Sequence, residues 1–223
     1  ALLGAWLIGS PVSIVPGPVR GADPHRWAEA TRKRFADLHV DVVLGGGPDL
    51  ETLAENADAR PLVVERAAEV GLDHAGTWVD PGDVPDDAIA VLQGTAGSTG
   101  DPKTAVLTAA AVTANAGALA DRLRLDTEND VGLSWLPLYH DMGLTFLLAG
   151  LHTGIELWIA PNSAFAASPF RWPQWLTASR ATITAAPNFA YDIVGRYGKL
   201  LAGADLSAIR VAISGGEPID PDA

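Results

Sequence analysis

Short apolar runs that recur between stretches of helical periodicity constrain this chain more than any other feature. They occupy residues 40–44, 61–64, 89–93, 104–107, 131–136, 155–160, 182–185 and 209–213. A strand buried on both faces is continuously apolar rather than alternating, and strands that alternate with helices pair in parallel through crossovers. The pattern predicts an α/β fold of mostly parallel sheets covered by helices. Asp23-Pro24 sets an N-cap and first helical position, followed by Trp27, Thr31, Phe35 and Leu38 on one face. A second helix is expected over 49–56. Thr108 caps a third, in which Val112, Ala116, Leu119 and Leu123 recur at spacings of four, three and four. Further helices fit at 142–152, 169–179 and 188–201.

With 223 residues, 48% hydrophobic and 19% charged, the chain can bury a sizeable core. Its formal charge is −12, and its basic residues are dispersed, which removes nucleic acid and anionic lipid as partners. The absence of cysteine removes disulfides and thiolate metal sites and points to the cytoplasm. No apolar run reaches the roughly 18 residues that a membrane span needs. Residues 1–8 read as the middle of a buried helix, and the last three follow a Gly-rich turn that should feed another element. Both ends are therefore expected to be cuts. The stretch 65–87, rich in Asp, Gly and Pro, is the linker candidate, so the expected units are 1–87 and 88–223.

The densest chemical signal lies between two expected strands: Gly94-Thr95-Ala96-Gly97-Ser98-Thr99-Gly100-Asp101-Pro102-Lys103. Glycines let backbone N–H groups turn toward an anion, hydroxyls add donors, and a lysine adds a point charge for phosphate. A surface hairpin loop is the plainer reading. A Walker-type loop fits residues 97–104 in spacing, but Pro102 stands where its second glycine belongs and has no N–H to offer. The lysine is also followed by a strand rather than a helix.

Three further segments sit at strand-to-helix junctions. Trp135-Leu136-Pro137-Leu138-Tyr139-His140-Asp141-Met142-Gly143 brings an imidazole beside a carboxylate, an arrangement that suits either an active site or a helix cap. Ala185-Ala186-Pro187-Asn188-Phe189-Ala190-Tyr191 has Asn188 as a cap and an aromatic pair fit for core or pocket. Ser214-Gly215-Gly216-Glu217-Pro218 is a turn against which a flat ring can lie.

Together these four segments resemble, in order, the signatures of the acyl-adenylate-forming enzymes. Residues 95–103 match the phosphate-binding loop of that family, except that Ala96 replaces a serine, and Thr104 replaces the glycine after the lysine. The Trp-Leu-Pro-x-Tyr-His-Asp-Met-Gly and Ala-Pro-Asn-Phe-Ala-Tyr strings are similar to the fatty acyl-AMP ligase branch. The resemblance implies part of the large N-terminal domain of such an enzyme, using ATP and Mg²⁺ to convert a fatty acid into acyl-AMP. The acyl group would then pass to a carrier-protein thiol, or alternatively to CoA. It further implies that Thr95, Ala96, Gly97, Ser98, Thr99, Gly100 and Lys103 hold phosphates, with Lys103 and His140 catalytic. The turn Ser214, Gly215, Gly216, Glu217 and Pro218 would meet adenine. His140, Asp141, Met142, Asn188, Phe189 and Tyr191 would meet the acid. No metal ligand is assigned in this chain, because the family's Mg²⁺ and ribose carboxylates and its C-terminal lysine would follow Ala223. Residues 1–88 carry no motif. A non-catalytic nucleotide-binding domain is the alternative from a different functional class.

Overall fold

The computed structural model describes residues 2–19, 21–55, 63–67, 69, 80, 82–95, 103–201 and 203–220, with the side chains of 199 and 200 excepted. The chain divides into two compact units, Ala1–Val84 and Pro85–Ala223.

In the first unit, helix α1 spans Leu2–Leu7 and α2 spans Pro24–Asp37. The Asp23 carboxylate accepts the His25 N–H at 2.9 Å, the N-cap that its position before proline predicts. Thr31 and Phe35 are buried and Trp27 partly so, whereas Leu38 lies just past the helix. Strand β1 (Val42–Gly45) pairs in parallel with β2 (Val63–Arg66) around α3 (Pro48–Glu55). The sequence places β1 two residues too early, because the Val40 N–H is used by the Phe35 carbonyl at the helix end. Most of the predicted linker lies outside the described residues.

The second unit opens with an antiparallel pair, β3 (Ile89–Thr95) and β4 (Lys103–Thr108). Thr108 accepts the Ala111 N–H at 3.2 Å and starts α4 (Ala109–Leu123). A fully parallel sheet follows, built from β5 (Val131–Ser134), β6 (Glu156–Ile159), β7 (Ile183–Ala186) and β8 (Val211–Ser214) in the order β6-β5-β7-β8. Helix α5 (Asp141–Thr153) carries the chain from β5 to β6. Helices α6 (Asn162–Ala167) and α7 (Arg171–Ser179) carry it back past β5 to β7. The six-residue α6 was not expected, being too short to show a period. Helix α8 (Asn188–Arg196) precedes β8 and is followed by a 3₁₀ turn, Gly198–Leu201, where the sequence predicts one continuous helix. The core joins Leu133, Trp135, Phe165, Trp172, Leu176 and Ala185. Trp135 stacks on Phe165 with ring centroids 3.5 Å apart. Among the described residues no helix is long and apolar enough to cross a membrane.

At the N-terminal edge of this sheet the Asp130 carboxylate is almost fully buried and paired with Arg210. It accepts Arg210 Nε–H at 2.9 Å and the Thr182 hydroxyl at 2.6 Å, while Arg210 also donates to the Leu123 and Arg124 carbonyls at 2.8 and 2.9 Å. Burial alone would raise the Asp130 pKa, but the bonds from Arg210 and Thr182 outweigh it and hold the carboxyl at about 2, against an ordinary 3.8. A folded-state pKa below the unfolded one contributes stability above the unfolded value, and that contribution is lost as pH falls from about 4 to 2. Asp130→Ala should cost about 3 kcal/mol at neutral pH, because it strips a buried pair of one partner. Urea unfolding measured between pH 7 and 2 should show a shallower loss on acidification in this variant than in the parent.

Candidate active site

Parallel strands end on one edge of their sheet, so the segments following β5, β7 and β8 share a rim. After β5 the chain leaves toward β6, and after β7 it leaves the other way, toward β8. Ligands in open α/β sheets bind at such a divergence, outside the carboxyl ends of the strands. His140-Asp141-Met142 follows β5, Asn188 to Tyr191 follows β7, and Ser214 to Pro218 closes β8.

His140 is the N-cap of α5. Its Nδ1 lies 2.7 Å from Asp141 Oδ1, a separation that requires a shared proton, so Nδ1–H donates to the carboxylate. The Met142 N–H is 2.7 Å from that same oxygen and 3.3 Å from Nδ1, so the carboxylate takes the helix's free donor. Nε2 has no partner among the described residues. Gly143 makes this corner possible: a Cβ there would sit 2.4 Å from the Pro137 carbonyl oxygen. The turn beyond β8 comes to meet the corner. A Cβ on Gly216, whose φ is +80°, would lie 3.7 Å from His140 Cε1 and 3.8 Å from Met142 Sδ.

Beneath this meeting point is a cavity of about 300 Å³. Leu119 and Leu123 of α4, Phe146 and Ala149 of α5, and Ile183 and Ile213 of the sheet wall it, with Asp141, Met142, Gly215 and Gly216 at one end. Among the described residues that line it, Asp141 alone is charged. Two buried polar atoms at the same strand ends, Trp135 Nε1 and Ser214 Oγ, have no partner among the described residues.

Asn188, Phe189 and Tyr191 lie outside these walls. Asn188 is buried but does not cap α8, correcting the sequence expectation: Pro187 occupies the N-cap and makes no side-chain bond. The Glu217 carboxylate takes the Phe189 N–H instead, at 2.7 Å. Phe189 is largely exposed, with its ring 6.4 Å from that of Phe165. Tyr191 packs edge-on to Trp172 at 5.1 Å and donates its hydroxyl to the Ile213 carbonyl at 2.9 Å. Burial pushes this phenol up to about 12, so it remains a donor at any working pH.

Ala96, Gly97, Ser98, Thr99 and Gly100 lie outside the described residues, but the base of their loop does not. Thr95 pairs across the ladder with Lys103, and its hydroxyl donates to the Lys103 carbonyl at 3.1 Å. Buried Gln93, which carries no local signature in the sequence, donates Nε2–H to the Tyr139 carbonyl at 2.6 Å and ties this hairpin to the residue preceding His140.

The model of the AMP-binding enzyme family matches residues 1–223. Long-chain-fatty-acid AMP ligase FadD32 of Mycolicibacterium smegmatis is 38% identical over 170 residues, which is 73% of this chain and 27% of that protein. A medium-chain fatty acid acyl-carrier-protein ligase, JamA of Moorena producens, is 34% identical over 230 aligned positions, covering 98% of this chain and 38% of its own. A structure from a study of fatty acyl-adenylate ligases of E. coli and L. pneumophila superposes with a TM-score of 0.87 at 29% identity, covering 99% of this chain and 40% of its own. The chain thus spans well under half the length of these relatives.

Gly143→Ala should destabilise the protein by about 1–3 kcal/mol, since its Cβ meets backbone that cannot turn aside. A thermal unfolding midpoint equal to that of the parent would show that the corner yields without cost. On its match across all 223 residues, the chain belongs to the AMP-binding enzyme family.

Proposed function

We propose that the protein of which this chain is part activates a fatty acid with ATP and passes the acyl group to a carrier-protein thiol. The observation that carries this reading is the apolar cavity ending at Met142, Gly215 and Gly216, next to His140. A hydrocarbon tail asks only for apolar walls. An amino acid would bring an ammonium that needs a free carboxylate, and the three nearby ones among the described residues each have a partner: Asp141 with His140 and Met142, Asp192 with Arg196 at 2.6 Å, and Glu217 with the Phe189 amide at 2.7 Å. The likeness to relatives named for fatty-acid AMP ligation and acyl-carrier-protein ligation supports the same substrate and acceptor.

In the first step a carboxylate oxygen of the acid bonds to the α-phosphorus of ATP, the bond from that phosphorus to the β-bridging oxygen breaks, and pyrophosphate leaves. In the second, a thiolate sulfur attacks the acyl carbon and AMP departs. Two anions must meet in the first step, so positioning and charge neutralisation dominate. Lys103, at the foot of the loop, supplies a cation for the phosphates. His140, its ring oriented through Nδ1–H to Asp141, offers its edge beside the Gly-Gly turn. The turn suits adenine: it lacks side chains at two successive positions and is preceded by the unpartnered Ser214 hydroxyl. Mg²⁺ would be supplied with the nucleotide. The described residues contain no group of three potential ligands, and no step is assigned to an ion held by them.

Lys103→Ala in the full-length protein should slow fatty-acid-dependent pyrophosphate release by about ten- to a hundredfold, the worth of one charge-assisted contact. Unchanged release would remove the loop from the mechanism. Across a series of acids from acetate upward, affinity should rise with each methylene, at about 0.8 kcal/mol, until the cavity is filled. A flat series in ATP–pyrophosphate exchange, or preference for an amino acid, would overturn the fatty-acid assignment.

A further inference from the structure

The segment after β7 and the turn after β8 are bonded to each other at two points. The Phe189 N–H, in the first turn of α8, donates to Glu217 Oε1 at 2.7 Å, and the Tyr191 hydroxyl donates to the Ile213 carbonyl at 2.9 Å. These contacts bracket Ser214, Gly215 and Gly216, one on each side. The first has no substitute within α8, whose N-cap is a proline without a side-chain bond and whose first turn holds no acidic residue. Glu217 therefore completes a helix that begins 29 residues upstream, and a carboxylate is the group best matched to the N–H groups and dipole at that end. Glycine at 216, with φ +80°, gives the turn a backbone freedom that something else must restrain. The two bonds supply that restraint from outside the turn.

We propose that Glu217 and Tyr191 are positioning residues for the nucleotide: they clasp the Gly-Gly turn to α8, so that α8 governs nucleotide affinity rather than recognition of the acid. This rests on the reading that the turn holds adenine. The clasp assigns Glu217 Oε1 to the Phe189 amide. The role of Tyr191 is confined to its hydroxyl, because the ring is already seated against Trp172.

The test uses the full-length protein and measures ATP affinity by calorimetry without acid, the acid's KM in pyrophosphate exchange, and hydrogen exchange at the Phe189 amide. Glu217→Ala should weaken ATP binding about tenfold, leave the acid's KM within about twofold, and speed exchange at Phe189. Glu217→Gln, which keeps an acceptor oxygen, should recover most of the affinity and the protection. Tyr191→Phe, which preserves the packed ring, should weaken ATP binding by about two- to tenfold. Gly216→Ala separates the two levels of the argument. If it weakens ATP binding while Glu217→Ala and Tyr191→Phe do not, the clasp is wrong and the turn's role stands. If Gly216→Ala also leaves ATP binding unchanged, the adenine reading fails and the proposal fails with it. Loss of affinity in Glu217→Ala without faster exchange at Phe189 would place Glu217 on the nucleotide itself and equally overturn the clasp.

Discussion

The second unit depends on how one buried charge is satisfied. Asp130 sits just before β5, and a carboxylate withdrawn from water must find donors or protonate. Its donors come from Thr182, just before β7, and Arg210, just before β8, while the same guanidinium closes over the last carbonyls of α4. Three strands are thereby aligned at their starts. Because they run parallel, alignment at one edge sets alignment at the other, where the junctions carrying His140, Asn188 and Ser214 emerge. The polar order at the base of the sheet and the chemical order at its rim are two ends of one register.

Local features were legible in the sequence because local physics decides them. Asp23 before Pro24 and Thr108 before an apolar stripe are caps whose partners lie two and three residues away, and the structure shows both bonds. The parallel strands were legible for the same reason, each being a short apolar run between helical segments. Asn188 was misread because the position before it already held a proline suited to the cap, and the acceptor that serves α8 comes from Glu217, far along the chain. Gln93 was invisible as a tie because a single amide within an apolar strand has no pattern until Tyr139 is brought opposite it. The cavity was half legible: the stripe containing Leu119 and Leu123 was read from α4, but empty space between α4, α5 and the sheet is written in no single segment.

The candidate site gathers at strand ends, where backbone rules are relaxed. Gly143 lets a helix start within reach of the Pro137 carbonyl, and Gly216 lets a turn pass close to an imidazole. Trp135 and Ser214, one step after β5 and on the last residue of β8, keep buried polar atoms unspent. A core built for stability alone would satisfy or remove such atoms. Along the sheet's interior, by contrast, Thr184 both receives the Trp172 indole N–H and donates to the Leu133 carbonyl.

The β3–β4 ladder bears on the departure at Thr104, where the resembling family has glycine. A threonine belongs comfortably in a strand, and Thr104 lies within β4, where its partner on the facing rail is Gly94. The rung beneath the loop therefore still has one member without a side chain, only on the opposite rail. Thr104 thus stands where the resembling family has glycine without setting two side chains opposite each other on that rung.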